Sequence, residues 1–379
     1  MEKVNSNPFK FGNPVEGDYY LARPELHAAV KQFLQNRIHV VLMGPRRFGK
    51  TSFVLSLLRD FEKEGYTCLL VDIFNITSHR DFLRQLLRAI RLKEGLKGKL
   101  RGWLKKLATC VPKVTADLDT FSGSSSFGLT LGKLGEEDVK EAIQDLLEVL
   151  SSLGKKVVVA VDEFQKVSEI DDQGWLEATL RTHLQRLKNV SFLLTGSRKD
   201  LILEMLNNPS RPLYRSCQTI EFPAFGPEFV DWIVGRFKTI GTSCKSEAIK
   251  HLLKLVQNIP NYAQKVCFHL VAQGCACVTG KEVEEVLENV VRQNAYTYQT
   301  LISSLTLAQK RALRLAAYEK GALFNKEVLQ KYEITSAPAL SSSIKALKAK
   351  GILDEEGGRG KVLFDDPLFA YWLRLCFSP

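Results

Sequence analysis

The sequence predicts an α/β fold: a parallel sheet with helices on both faces, then a helical region, then a small unit of helices and a hairpin. Three observations predict it. Short apolar runs (Ile38–Met43, Cys68–Phe74, Lys156–Val161, Val190–Thr195) alternate with amphipathic helical patterns, and strand–helix–strand spacing of this kind builds parallel sheets covered on both sides. After "FPAFGP" the chain turns almost wholly helical over residues 226–300, with a break at "NIPNY". Residues 301–379 then read as three short helices followed by strand, Gly-rich turn and strand, the plan of a winged helix.

Taken in order, residues 1–22 are rich in Pro, Gly, Asn and aromatics and read as an extended arm. Pro24–Gln35 reads as a helix, with Leu26, Val30, Phe33 and Leu34 on one face. Ile38–Met43 is a buried strand ahead of a Gly-rich turn, and Thr51–Glu64 a helix with Phe53, Leu57, Leu58 and Phe61 at helical spacing. Cys68–Phe74 is the second strand. A basic stretch with helical periodicity follows, and then "FSGSSSFGLTLGKLG", which reads as a hairpin or mobile loop. Glu136–Ser152 is an amphipathic helix, Lys156–Val161 the third strand, Trp175–Arg186 a helix, Val190–Thr195 the fourth strand and Gln218–Phe222 the fifth. The C-terminal helices are Leu305–Tyr318, Asn325–Lys331 and Ala337–Lys350, and the aromatic "DPLFAYWLRLCF" is expected to pack against the protein.

The bulk numbers exclude little. At 379 residues, with 45% hydrophobic and 25% charged residues, the chain has room for two or three domains of ordinary globular composition. No apolar run approaches the roughly 18 residues of a membrane span, and the N-terminus shows no secretory h-region. The eight cysteines form no paired framework, which points to reduced thiols and a cytoplasmic protein. Cys275 and Cys277, near His269, offer either a metal site or buried thiols, and the Ala/Val-rich stretch around them, which reads as helical, favours buried thiols. The formal charge is +11, and Arg80–Lys113 alone has eleven Lys/Arg against Asp81 and Glu94, an excess of nine.

Gly44-Pro45-Arg46-Arg47-Phe48-Gly49-Lys50-Thr51 has the pattern G-x-x-x-x-G-K-T, followed by Ser52. The glycines let backbone N–H groups face inward around a polyanion, Lys50 reaches the β- and γ-phosphates, and the Thr51 hydroxyl ligates Mg²⁺. The motif lies between a buried strand and an amphipathic helix, as this chemistry requires. "VVVAVDEF" places Asp162 and Glu163 at the C-terminal end of a buried strand, where open α/β sheets bind ligands. Asp162 suits Mg²⁺, and Glu163 suits polarising an attacking water. "FLLTGS" ends the next strand with Thr195 and Ser197, either of which can sense a γ-phosphate or orient the water. Arg198, Arg211 and Arg215 follow, each able to neutralise transition-state charge. The guanine-reading N-K-x-D pattern is absent, which favours ATP.

"NPFKFGNPVEGDYY", "GPRRFGKT", "VVVAVDEF", "LLTGS", "PLYRSCQTIEF" and "NIPNY" together resemble the archaeal-type ATPase family, the STAND branch of P-loop NTPases related to AAA+ proteins. The resemblance implies a P-loop NTPase core with its sensor strand between the phosphate-loop and acidic strands, a helical lid, and a C-terminal winged helix. It divides the chain into a core with its arm (1–225), a lid (226–300) and a winged-helix domain (301–379). It implies that Lys50 and Thr51 bind phosphate and Mg²⁺, that Asp162 and Glu163 serve Mg²⁺ and water, and that Ser197 is the sensor. Arg215 corresponds to the arginine near the core's end, and Pro260 to the lid proline that packs on adenine. The family usually has Gly-Arg-Glu before the first helix; here it is Ala22-Arg23-Pro24, with Arg23 kept. The lid's usual Gly-x-Pro has Asn258 in place of Gly.

The implied function is a slow Mg²⁺-dependent ATPase whose nucleotide state sets lid and winged-helix position. Two rivals stand beside it. One is an ATP-gated nucleic-acid binder that uses the 80–113 segment, with Trp103 for stacking, or the winged helix. The other is a signalling scaffold whose winged helix docks a protein. The helix Ala337–Lys350 carries Lys345, Lys348 and Lys350 but no Arg, Asn or Gln for base edges, and the wing tip holds Asp354, Glu355 and Glu356, which argues against sequence-specific reading. An arginine acting in trans would require an oligomer.

Overall fold

The computed structural model describes residues 7–93, 135–151, 154–171, 173–319, 321, 323–356 and 361–377. The chain divides into two compact units, residues 22–223 and residues 1–21 with 224–379.

The unit of residues 22–223 is built on a parallel sheet. Its strands are β1 (Val40–Met43), β2 (Thr67–Asp72), β3 (Val157–Asp162), β4 (Val190–Gly196) and β5 (Gln218–Glu221), in the order β2-β3-β4-β1-β5. The register runs Val40 to Leu193, Val40 to Gln218, Thr67 to Val157 and Val157 to Val190. β1, β3 and β4 are buried along their whole length, as strands covered on both faces must be. Val41, Met43, Leu69, Val71, Val159, Val161, Phe192 and Leu194 join one core with residues of α3 (His79–Arg91), α4 (Glu136–Ser151), α6 (Trp175–Arg186) and α7 (Lys199–Asn207). The alternate residues Val40, Leu42, Val158, Ala160 and Leu193 are also buried. α1 (Pro24–Gln35) packs on β1 and β4, and α2 (Lys50–Lys63) on β2 and β3. A short α5 (Lys166–Ile170) follows β3.

The acidic strand β3 and the phosphate-loop strand β1 are separated by β4, the order the resemblance implied. Strand ends moved by a residue or two. Ile38 and Phe74, expected inside strands, lie outside them and are exposed at 43% and 48%. The Ser/Gly stretch at 121–135 and the basic segment from residue 94 onward lie outside the described residues, Gly135 excepted.

In the second unit, α8 (Glu228–Lys238), α9 (Ser246–Leu255), α10 (Pro260–Ala272) and α11 (Gly280–Gln293) pack together, followed by α12 (Ala295–Ser303). The arm belongs to this unit rather than to the core, as the sequence division had placed it. Phe9 is fully buried, with its ring 4.8 Å from that of Phe237 and 6.2 Å from that of Trp232. Arg236 donates to the Pro8 carbonyl at 3.1 and 3.2 Å. The aromatics that made the arm conspicuous are therefore its anchors.

A two-strand parallel ladder, β6 (Ser243–Cys244) and β7 (Cys277–Val278), interrupts the helices. It corrects the helical reading of Cys275 and Cys277. Gly274, at φ +69°, ends the chain's helical course after α10, which leaves Cys277 exposed and Cys275 half-buried. The last elements are α13 (Leu307–Tyr318), α14 (Lys326–Lys331), α15 (Ala337–Ala349), the antiparallel pair β8 (Leu353–Glu356) and β9 (Lys361–Phe364), and α16 (Pro367–Cys376). α16 buries Leu368, Phe369, Trp372 and Leu373 against this unit, touching α11, α12 and α13.

Candidate phosphate-binding site

β1 ends at Met43, and the chain turns at Gly44 because nothing larger fits. A Cβ on Gly44 would lie 2.7 Å from the Cβ of Phe222, whose own N–H donates to the Met43 carbonyl at 2.6 Å. The loop then passes through left-handed backbone at Arg47 (φ +64°) and Gly49 (φ +93°), and α2 begins at Lys50. Gly49 accepts that conformation at no steric cost, while Arg47 does not. The result aims the N-terminus of a 14-residue helix, with its N–H groups and positive dipole end, into the loop. Pro45 and Arg47 are exposed, Arg46, Phe48 and Gly49 half-buried, and Ser52 buried.

Lys50 is 5% exposed, and its ammonium donates to the carbonyls of Gly44 at 2.7 Å and Pro45 at 2.8 Å. Thr51 Oγ1 donates to Asp162 Oδ2 at 2.7 Å. The other carboxylate oxygen, Oδ1, accepts from the Thr195 hydroxyl and, at 3.0 Å, from the Glu163 N–H. Residues more than 100 positions apart in sequence thus meet because β3 and β4 are neighbours and α2 packs on β3. Asp162 is buried, and donors engage both of its carboxylate oxygens.

Glu163 follows at φ +60°, outside both β3 and α5. Its Oε2 accepts from Ser197 Oγ at 2.7 Å and from the Gln165 amide. The Gln165 amide also lies 3.4 Å from Ser197 Oγ, and Arg46 Nε approaches that hydroxyl at 3.5 Å. The two hydroxyls at the end of β4 therefore divide the acids between them: Thr195 serves Asp162, and Ser197 serves Glu163. Gln165, 1% exposed, was not singled out from the sequence. Its signal was only its place two residues after Glu163.

The structure also sorts the three arginines. Arg198 pairs with Asp200 at 3.0 Å. Arg211 pairs with Glu177, a buried carboxyl whose pKa is raised by desolvation, with the guanidinium opposing that shift. Arg215 is exposed, in left-handed backbone at φ +50°, with its guanidinium 5.0 Å from the Tyr214 ring centre and no carboxylate partner among the described residues. It is not joined to the acidic cluster. Arg23 is buried, its guanidinium stacked 4.4 Å from the ring of Phe222, the residue that walls Gly44. Pro260 belongs to the other unit, where it opens α10 and is buried. Two residues before it, Asn258 stands at φ +55° and donates to the Phe225 carbonyl at 2.7 Å.

With this geometry established, residues 34–202 match the family model described as an AAA domain. That segment is an AAA-type P-loop domain. Among solved structures, the Walker-type ATPase of Pyrococcus abyssi is similar over 94% of this chain and 97% of its own, at 20% identity and a TM-score of 0.64. The ORC2 protein of Aeropyrum pernix, solved with ADPNP and ADP, covers 94% of each chain at 16% identity and a TM-score of 0.53. The ORC1 protein of the same organism, in complex with DNA, covers 95% of this chain and 94% of its own at 15% identity and a TM-score of 0.51. At these identities the likeness is one of fold. No curated protein matches the chain in sequence. The match over residues 34–202 and the shared fold agree with the AAA-related P-loop ATPase core read from the motifs. Among the described residues no helix is long and apolar enough to cross a membrane.

Proposed function

We propose that this AAA-type protein binds ATP with Mg²⁺ and hydrolyses it slowly, as a STAND-like switch. The observation that carries the reading is the meeting of Lys50, Thr51 and Asp162 around the phosphate loop, with Thr51 Oγ1 and Asp162 Oδ2 2.7 Å apart. A hydroxyl and a carboxylate oxygen are the hard donors Mg²⁺ takes beside phosphate oxygens, so these two residues would hold the ion. When bound, it would neutralise charge developing on the phosphates. Lys50 exchanges its two carbonyl contacts for phosphate oxygens, and the loop's N–H groups wrap the same anion. Glu163 accepts a proton from the attacking water, and Ser197 holds the carboxylate that does so. Arg215 remains the candidate for charge neutralisation, in cis or from a second copy. The nucleotides in the ORC2 relative support the choice of ligand.

In this reading, residues 226–300 act as the lid, with Pro260 against the adenine, and residues 301–379 as a winged helix that moves with it. The protein works in the cytoplasm. The test is phosphate release. It requires Mg²⁺, vanishes in Lys50→Ala, and falls at least about 100-fold in Glu163→Gln while ATP binding persists. Turnover equal to wild type in Glu163→Gln removes Glu163 from its role.

A nucleic-acid role has one observation of its own. α3 exposes Arg84, Arg88 and Arg91 along one side, and a relative of this fold was solved with DNA. Salt-dependent DNA binding that weakens when Arg84, Arg88, Lys105 and Lys106 are changed together tests it.

A further inference from the structure

The unit that carries α8–α16 contains a half-open cleft of about 520 Å³ that nothing above uses. Its floor comes from three places: Leu255 at the end of α9, Leu323 after α13, and Leu363 and Phe364 of β9. The size is that of a ligand or peptide side-chain site.

Two cations face this apolar lining. Arg374 of α16 is half-buried, donates to the Ala317 carbonyl at 3.2 Å and lies 5.9 Å from the Tyr371 ring. Lys254 of α9 is exposed at the rim. Neither has a carboxylate partner among the described residues. Glu319, which itself lines the cleft, is engaged by Lys331 and Tyr332, and the nearby Glu284 and Glu288 by His251 and Arg292. A guanidinium drawn out of water without a counter-charge is costly to hold, and a carboxylate from outside relieves that cost. Beside the cleft in sequence stand apolar side chains that the fold leaves outside: Phe324 next to Leu323, and Leu375 and Phe377 next to Arg374, 36% to 45% exposed. Phe377 is tied to the cleft wall by the Tyr318 hydroxyl, which donates to its carbonyl.

We propose that this cleft docks an acidic peptide segment of a partner protein, with Asp or Glu meeting Arg374 and Lys254 and a large apolar side chain entering between Leu255 and Phe364. The charge favours an acidic peptide and opposes a nucleic acid's dependence on many cations.

The test pans a random dodecapeptide display library on the full-length chain and measures the best peptide, fluorescein-labelled, by anisotropy. Recovered peptides should pair Asp or Glu with Leu, Phe or Trp. Their affinity should fall at least tenfold in Lys254→Glu, be lowered by salt, and stay unchanged in Lys50→Ala. Arg374→Gln should weaken binding as much. Because it also loses a bond to Ala317, the exposed Lys254 variant decides if Arg374→Gln does not fold. The proposal is overturned if no peptide is recovered, if the recovered peptides are basic or neutral, or if Lys254→Glu binds as wild type does. It is also overturned if a DNA duplex competes for the same residues, or if sedimentation finds a homodimer that Leu375→Asp dissolves, since the occupant is then a second copy.

Discussion

Glu163 stands at φ +60°, a conformation that costs a non-glycine residue about 1–2 kcal/mol, and two donors hold its carboxylate there. In the role proposed for it, as acceptor of one proton from water, Glu163 gains from being fixed before substrate arrives. Ser197→Ala removes a hydrogen bond to a charged acceptor, worth roughly 1.5–3 kcal/mol. It should lower kcat about tenfold or more and leave KM for ATP near its wild-type value. Steady-state phosphate release at varied ATP gives both numbers, and a raised KM with intact kcat would mean that Ser197 binds rather than positions. Gln165 has a second constraint. A Cβ on Gly196 would fall 2.4 Å from its Oε1 and 2.3 Å from Ile202 Cδ1. Gly196→Ala should therefore destabilise the protein by about 1–3 kcal/mol, read as a lowered denaturation midpoint. No clash at this buried position can be seen in the words T-G-S; it exists only because α7 and the turn after β3 converge there.

The elements that could be read in the sequence were those whose burial is written in their residues. β1 is an uninterrupted apolar run, β3 is one up to Asp162 and β4 is broken by Ser191 and Thr195, and Trp175–Arg186 and Pro24–Gln35 were placed to the residue. β6 and β7 were invisible, since two-residue strands offer no alternation and the cysteines between helices look like helix interior. At the site, Lys50, Thr51, Asp162 and Glu163 were legible from spacing. The partition of Thr195 and Ser197 between two acids was not, because it depends on strand neighbours. The departure at Asn258 has a physical answer. Left-handed backbone admits Asn better than other side chains, and the amide pays for the substitution by bonding to Phe225. Asn258→Gly should thus stay within a few tenths of a kcal/mol to about 1 kcal/mol of wild type, losing the bond but easing the backbone. Asn258→Ala loses both, by about 2 kcal/mol. Chemical denaturation of the two variants side by side checks this, and equal losses would mean that only the hydrogen bond matters.

Two units with separate cores imply two unfolding events, and burial makes their thiols report on both. Burial raises Cys68 and Cys217 in one unit, and Cys244 in the other, from near 9 to about 12, and it raises Cys267 well above 9. Because the folded pKa exceeds the unfolded one, this stabilisation is complete below pH 9 and is lost as pH rises from 9 toward 12. The melting temperature of both units should therefore decline between pH 8.5 and 10.5, and Cys217→Ala should flatten the decline of the first. The same calorimetric traces test the switch. A ligand held at 100 times its dissociation constant stabilises what it binds by about 2.7 kcal/mol. If nucleotide engages the phosphate loop alone, a non-hydrolysable ATP analogue with Mg²⁺ should raise only the transition of residues 22–223. If the lid closes on it through the face that Pro260 opens, both transitions should rise and draw together, because neither unit then unfolds without losing ligand. The second outcome is expected, with Lys50→Ala abolishing both shifts and Pro260→Ala abolishing the second only. A lone shift in the first unit would keep the nucleotide site and remove the coupling that makes it a switch.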